Sequence, residues 1–192
     1  MKTQTKDYTY RELVSPEPIS NKLHPEENKA IVDEQDVDDD LALHEIALKA
    51  LNAKKPVIIS SARIIMWNFE EGTWEKARVI RKLAEAIGAE ILPIFDTRPE
   101  FPTVKSAVEI NPFHGDLVIE HNKYDVAIFC GIDCPYADVA LKIIRAGSSC
   151  YTIALCGHMG HVDASITLRD ANLDKLNKLV AIISEVKAKG SH

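Results

Sequence analysis

The sequence predicts an α/β fold, a parallel sheet of about five to six strands with helices on both faces. Short runs such as "PVIIS", "VAIFC" and "TIAL" are apolar throughout rather than alternating, the pattern of strands buried on both faces. Between them lie longer stretches with apolar residues every three or four positions, the pattern of helices that cover a sheet. A chain of 192 residues is also long enough for one full core.

Taken in order, residues 1–36 carry Pro16, Pro18 and Pro25 among polar and charged residues, which no helix continues through, and read as an extended arm. A single domain is expected over residues 37–189, with Gly190 to His192 an appended remnant. "DVDDDLALHEIALKALNAKKP" opens with Asp38, Asp39 and Asp40 and closes with Lys54 and Lys55. Charges so placed suit both ends of a helix dipole, so the acidic run reads as a helix start rather than a metal site. "PVIISSARIIM" is the first buried strand. "TWEKARVIRKLAEAIG" is a helix with Ala77, Ile80, Ala84 and Ile87 on one face, Thr73 as its cap and Gly88 as its stop. The strand–helix unit recurs as "AEILPIF", then "YDVAIFCG" with "ADVALKIIRAG", then "CYTIALCG" with a short "ASITL". A closing helix, "NLDKLNKLVAIISEVKA", has Leu173, Leu176, Val180 and Ile183 on one face. Such alternation is Rossmann-like.

The composition narrows the functional classes. A net charge of −6 argues against nucleic acid and acidic membrane surfaces, because phosphate binding needs concentrated basic charge. No apolar run approaches the roughly 20 residues that span a bilayer. The opening "MKTQTKDYTY" lacks the apolar core of a signal peptide, so a cytoplasmic location is expected. Four cysteines in such a chain are expected as reduced thiols.

Ligands of open parallel sheets bind beyond the carboxyl ends of the strands. There the sequence places Ser60, Ser61, Ala62 and Arg63, then Asp96 and Arg98, then Gly131 to Tyr136, then Cys156 to His161. For a dinucleotide, the candidate contacts are Ser60, Ser61 and Arg63 at the phosphates, Gly131 and Gly157 where backbone approaches ligand, and Asp96 or Arg98 at the ribose or an outer phosphate. The serines are equally readable as small residues at a strand end. Neither "GxGxxG" nor "GxxxxGK" occurs. Bulky Met66, Trp67 and Phe69 compete for the same cleft.

Cys130 and Cys134 stand four positions apart, and Cys156, His158 and His161 fall at the end of what should be a neighbouring strand, so all five are candidates to lie near one edge. Zinc sites pair cysteines as C-x2-C on a turn, whereas a C-x3-C that begins inside a strand buries its first sulfur as a small hydrophobe. The expectation is no tightly bound metal, with Cys130 and Cys156 buried and Cys134 the most exposed. His114 and His158 read as loop hydrogen-bonders, and no base for a cysteine nucleophile is identifiable.

From "KKPVIISSARI" to "KLVAIISEV" the chain resembles the epsilon, accessory subunit of the acetyl-CoA decarbonylase/synthase complex, the carbon monoxide dehydrogenase beta-subunit family. The resemblance lies in the order of "RKLAEAIGAEILPI", "INPFHGDL", "KYDVAIFCGI", "YTIAL", "ASITL" and a terminal helix. More distantly it is similar to the central domain of thiamine-diphosphate enzymes, a Rossmann-like domain of the deoxyhypusine-synthase type able to hold the ADP part of FAD. Where that domain has a glycine pair after the first strand, this chain has Ser60 and Ser61. The resemblance implies a non-catalytic subunit that docks on the large nickel-iron carbon monoxide dehydrogenase subunit in an anaerobe, with FAD as the candidate cofactor. A redox partner protein and a homo-oligomer are further candidate partners. The alternative is a flavin- or nucleotide-binding redox protein that acts independently.

Overall fold

The computed structural model describes residues 24–61, 73–94 and 124–190. Its seven strands are β1 (Lys29–Val32), β2 (Gln35–Asp38), β3 (Pro56–Ser61), β4 (Glu90–Ile94), β5 (Val126–Cys130), β6 (Tyr151–Leu155) and β7 (Ile166–Leu168). Among the described residues the helices are α1 (Asp39–Asn52), α2 (Thr73–Ile87), α3 (Cys134–Gly147) and α4 (Leu173–Gly190). All strands form one sheet in the order β2-β1-β7-β6-β5-β3-β4. From β7 to β4 every pairing is parallel. The molecule has a Rossmann-like α/β fold.

β5 shows how the sequence makes the sheet. All five of its residues are buried, and it pairs in parallel with β3 on one edge and β6 on the other. Period-two alternation then divides its side chains between two cores. Val126, Ile128 and Cys130 point to the face covered by α1, α2 and α4, where they meet Ile46, Ile80, Leu179 and Ile183. Ala127 and Phe129 point to the other face and meet Ala137, Ala140, Leu141 and Ile144 of α3. Helices therefore cover both faces, as the apolar runs predict.

Helix boundaries follow local chemistry. Gly88 ends α2 at φ 69°, and the N–H of Ala89 returns to the carbonyl of Ala84 at 2.9 Å, which closes the turn. The predicted face of α2 is the buried one, with Leu83 added to it. The acidic run does start a helix. Asp39 and Asp40 occupy the first turn of α1, and Lys175 and Lys178 of α4 reach them at 2.6 Å each.

The N-terminal boundary needs correction. Residues 29–36, expected in an extended arm, belong to the sheet, and a boundary at residue 36 cuts through β2. β1 pairs antiparallel with both β2 and β7, and Ala30 is fully buried. This hairpin also raises the sheet from the expected five or six strands to seven. The rest of the arm before residue 24 lies outside the described residues, as does His114.

Asp125 joins the amino ends of three strands. Its carboxylate accepts the N–H groups of Lys54 and Lys55 at 2.7 and 2.8 Å, and its carbonyl accepts the N–H of Tyr151 at 2.9 Å. Burial alone would raise the pKa of this carboxyl, but the backbone donors outweigh it and hold the pKa below the usual range. A lowered folded pKa gives stability that is fully present above the unfolded value near ~3.9 and is lost as pH falls through the folded value. Asp125→Asn should therefore lower stability by about 1 kcal/mol at neutral pH. Urea titrations should show that difference shrinking below about pH 4, and a difference independent of pH would contradict the assignment.

Candidate functional site

The parallel strands run β4-β3-β5-β6-β7, so the order reverses between β3 and β5. That is the switch point at which open α/β sheets bind ligands. Ser60 pairs with Cys130 across it, and the N–H of Ser61 donates to the carbonyl of Gly131 at 3.3 Å. Ser60, Ser61 and Gly131 are thus brought together, and Gly157 follows β6 at the same edge. Ser60 is fully buried, and its hydroxyl has no partner among the described residues. It lies on the face of Ile58, two residues before it on the strand. Gly131 takes φ 68°, a conformation suited to glycine. Arg63, Asp96 and Arg98 lie outside the described residues, as do Met66, Trp67 and Phe69.

The chemistry at this edge gathers one strand further along. Cys134 opens α3, where Pro135 fits the first turn because it has no N–H to leave unpaired. Cys156 follows β6 directly, and His161 closes the loop "CGHMGH". The donor atoms of Cys134, Cys156 and His161 all lie within 4.8 Å of one another, and the two sulfurs are 3.8 Å apart. Cys156 and His161 are buried, at 5% and 3% exposure, whereas Cys134 is partly exposed. The C-x3-C spacing is not what assembles the group. Cys130 faces the opposite core, where burial pushes its thiol up to about 11.

His161 is held from two sides. Its Nδ1 lies 2.6 Å from Oδ1 of Asp138 in α3, and its backbone N–H donates to Oγ1 of Thr167 at 2.7 Å. The carboxylate requires the proton on Nδ1, which leaves Nε2 for the sulfurs. Burial alone would lower the imidazole pKa, but the bonds to Cys156 and Asp138 outweigh it and raise it. The converse applies to Cys156. Burial would raise its thiol, yet hydrogen bonds from His161 and from the N–H groups of His158 and Gly160 bring it down to about 7. Cys134 is pushed up, first by burial and then by the charge of Cys156. Of the five residues singled out in the sequence, three converge. His158 contributes its N–H to Cys156, at 3.3 Å from the sulfur, and its side chain is exposed. Asp138, four residues beyond Cys134 in α3, completes the group.

The close-approach glycine of the loop is Gly160. It takes φ 94°, and a Cβ there would stand 2.8 Å from Oγ1 of Thr167 and 3.2 Å from Cδ of Pro25. At Gly157 a Cβ would meet nothing within 4 Å. Elsewhere, an open cleft of about 390 Å³ is lined by Asp33, Arg145, Tyr151 and Asp163 among others. Tyr151 and Thr152 begin β6, which puts that cleft at the amino end of the strand, with Cys150 rather than Cys134 or Cys156 in its lining. Gly160→Ala should lower stability by about 1–3 kcal/mol, whereas Gly157→Ala should stay within about 0.5 kcal/mol of the parent. Denaturant midpoints of the two variants check this, and equal effects would contradict the loop geometry.

None of the curated proteins compared matches the chain. The family model for the CO dehydrogenase beta subunit/acetyl-CoA synthase epsilon subunit matches residues 20–186, which include every strand and nearly all of the closing helix. The chain belongs to the CO dehydrogenase beta subunit/acetyl-CoA synthase epsilon subunit family.

Proposed function

We propose that this chain is a non-catalytic accessory subunit that docks on the nickel-iron CO dehydrogenase subunit of a CO dehydrogenase/acetyl-CoA synthase complex. The family match over residues 20–186 carries this reading. The thiol inventory agrees with it. Each cubane cluster takes about four thiolates, and the four cysteines here are split between two faces of the sheet. Redox clusters then belong to the partner. A docking surface is available where Tyr136 and Met159, 45% and 57% exposed, project beside the thiol edge. Apolar and aromatic side chains of this kind anchor protein interfaces.

Co-expression with the nickel-iron subunit under anoxic conditions should give a co-eluting complex. The double change Tyr136→Ala with Met159→Ala should weaken it by roughly tenfold or more. Failure of the unchanged chain to associate would refute docking. Purified alone, the chain should reduce no dye under carbon monoxide, and turnover by the chain alone would refute the accessory role.

A second reading, a flavin- or nucleotide-binding protein, is supported by the order reversal at Ser61 and Gly131. Calorimetric titration with FAD, FMN, NAD and ADP decides it. Heat of binding that Arg63→Ala reduces supports a phosphate site on the first loop, and no heat at high micromolar ligand removes the reading.

A further inference from the structure

We propose that Cys134, Cys156 and His161 form a three-ligand site for a thiophilic divalent cation, with zinc the best fit and the fourth position open. The inference stands on the geometry of this edge and does not depend on the docking reading.

The separations fit one ion. Two sulfurs that share a tetrahedral zinc at about 2.3 Å each lie about 3.8 Å apart. The sulfurs of Cys134 and Cys156 are 3.8 Å apart, well beyond the ~2.05 Å of a disulfide. The third donor atom is within 4.8 Å of both, so one ion needs only small side-chain adjustments to reach all three. Two thiolates and an imidazole are soft to borderline donors, which select zinc over magnesium or calcium.

The surroundings are those of a held ligand set. Asp138 fixes the ring of His161 through Nδ1 at 2.6 Å, the carboxylate–histidine arrangement that orients metal-bound imidazoles. The N–H of His158 points at the sulfur of Cys156, and Gly160 adds a second backbone donor to it. Cys134 sits in the first turn of α3, and a bound cation would offset the burial and the neighbouring sulfur that otherwise keep its thiol protonated. Because Cys134 is the partly exposed member, the open position is reached from its side, by water or by a donor from a bound protein. Three protein ligands with one open position is the pattern of zinc sites that exchange their fourth ligand.

The test uses the full-length chain, reduced and stripped with a chelator. Cobalt should bind one ion per chain and produce a sulfur-to-cobalt charge-transfer band with the intense visible absorption of a tetrahedral site. Zinc should displace it stoichiometrically. Cys134→Ser and His161→Ala should abolish the charge-transfer spectrum or reduce its intensity, while Cys130→Ser and Cys150→Ser should leave it unchanged. Asp138→Asn, which leaves all three ligands in place, should weaken zinc about 10–100-fold in competition with a chromophoric chelator. Circular dichroism of each apo variant identifies any that fail to fold, and for those Asp138→Asn carries the test. Absence of cobalt or zinc binding by the folded, reduced chain would overturn the proposal. So would a charge-transfer spectrum undiminished by Cys134→Ser, or metal-free chains in which Cys134 and Cys156 only oxidise to a disulfide.

Discussion

The rest of the molecule depends on β5 being buried at every residue. A strand buried at every residue must pair all of its backbone N–H and C=O groups with neighbours, because an unpaired one costs about 1–3 kcal/mol. β3 and β6 supply those pairs in parallel. Parallel pairing requires crossovers, and the crossovers are what lay helices against both faces. The carboxyl ends of three strands are thereby set at one edge, with α3 starting directly beyond β5. Cys134 meets Cys156 because the strands that precede them are adjacent, although 22 positions separate the two residues.

Much of this was legible because the signals are local. "VAIFC" is apolar throughout, the face of α2 recurs at helical spacing, and Gly88 marks a stop. The hairpin was hidden for an equally local reason. Its turn places Asp33 and Glu34 at φ 45° and 69°, values usually associated with Asn-Gly or Asp-Gly. Tertiary contacts replace the missing glycine. The N–H of Asp33 donates to the carbonyl of Ser165, and the hydroxyl of Tyr151 donates to its carboxylate, both at 2.8 Å. Neither contact can be read from residues 29–38 alone, and "QDVD" shows only one apolar side chain. Propensity pointed to an arm, and pairing with β7 decided otherwise.

The thiol edge was half legible. The sequence places five cysteine and histidine residues near one edge, but the short spacing from Cys130 to Cys134 is the misleading one. Strand periodicity sends Cys130 to the core beneath α1, α2 and α4, and the turn through Gly131 carries Cys134 to the start of α3. The useful signal was the pair of glycines between Cys156 and His161, since a chain that turns back on itself within five residues returns a side chain to where it began. Asp138 became meaningful only when α3 brought it to the ring of His161.

The hairpin that escaped detection also determines where the sheet ends. Among the described residues β2 is the outermost strand on that side, and Gln35, Asp36 and Asp38 are exposed along it. A bare strand edge offers unpaired N–H and C=O groups as a template for another chain, and charge along it opposes such growth. Two copies that approach through β2 would set acidic side chains against one another, with Val37 the one apolar side chain of the strand. Charge along this strand thus opposes strand addition on this flank of the described sheet.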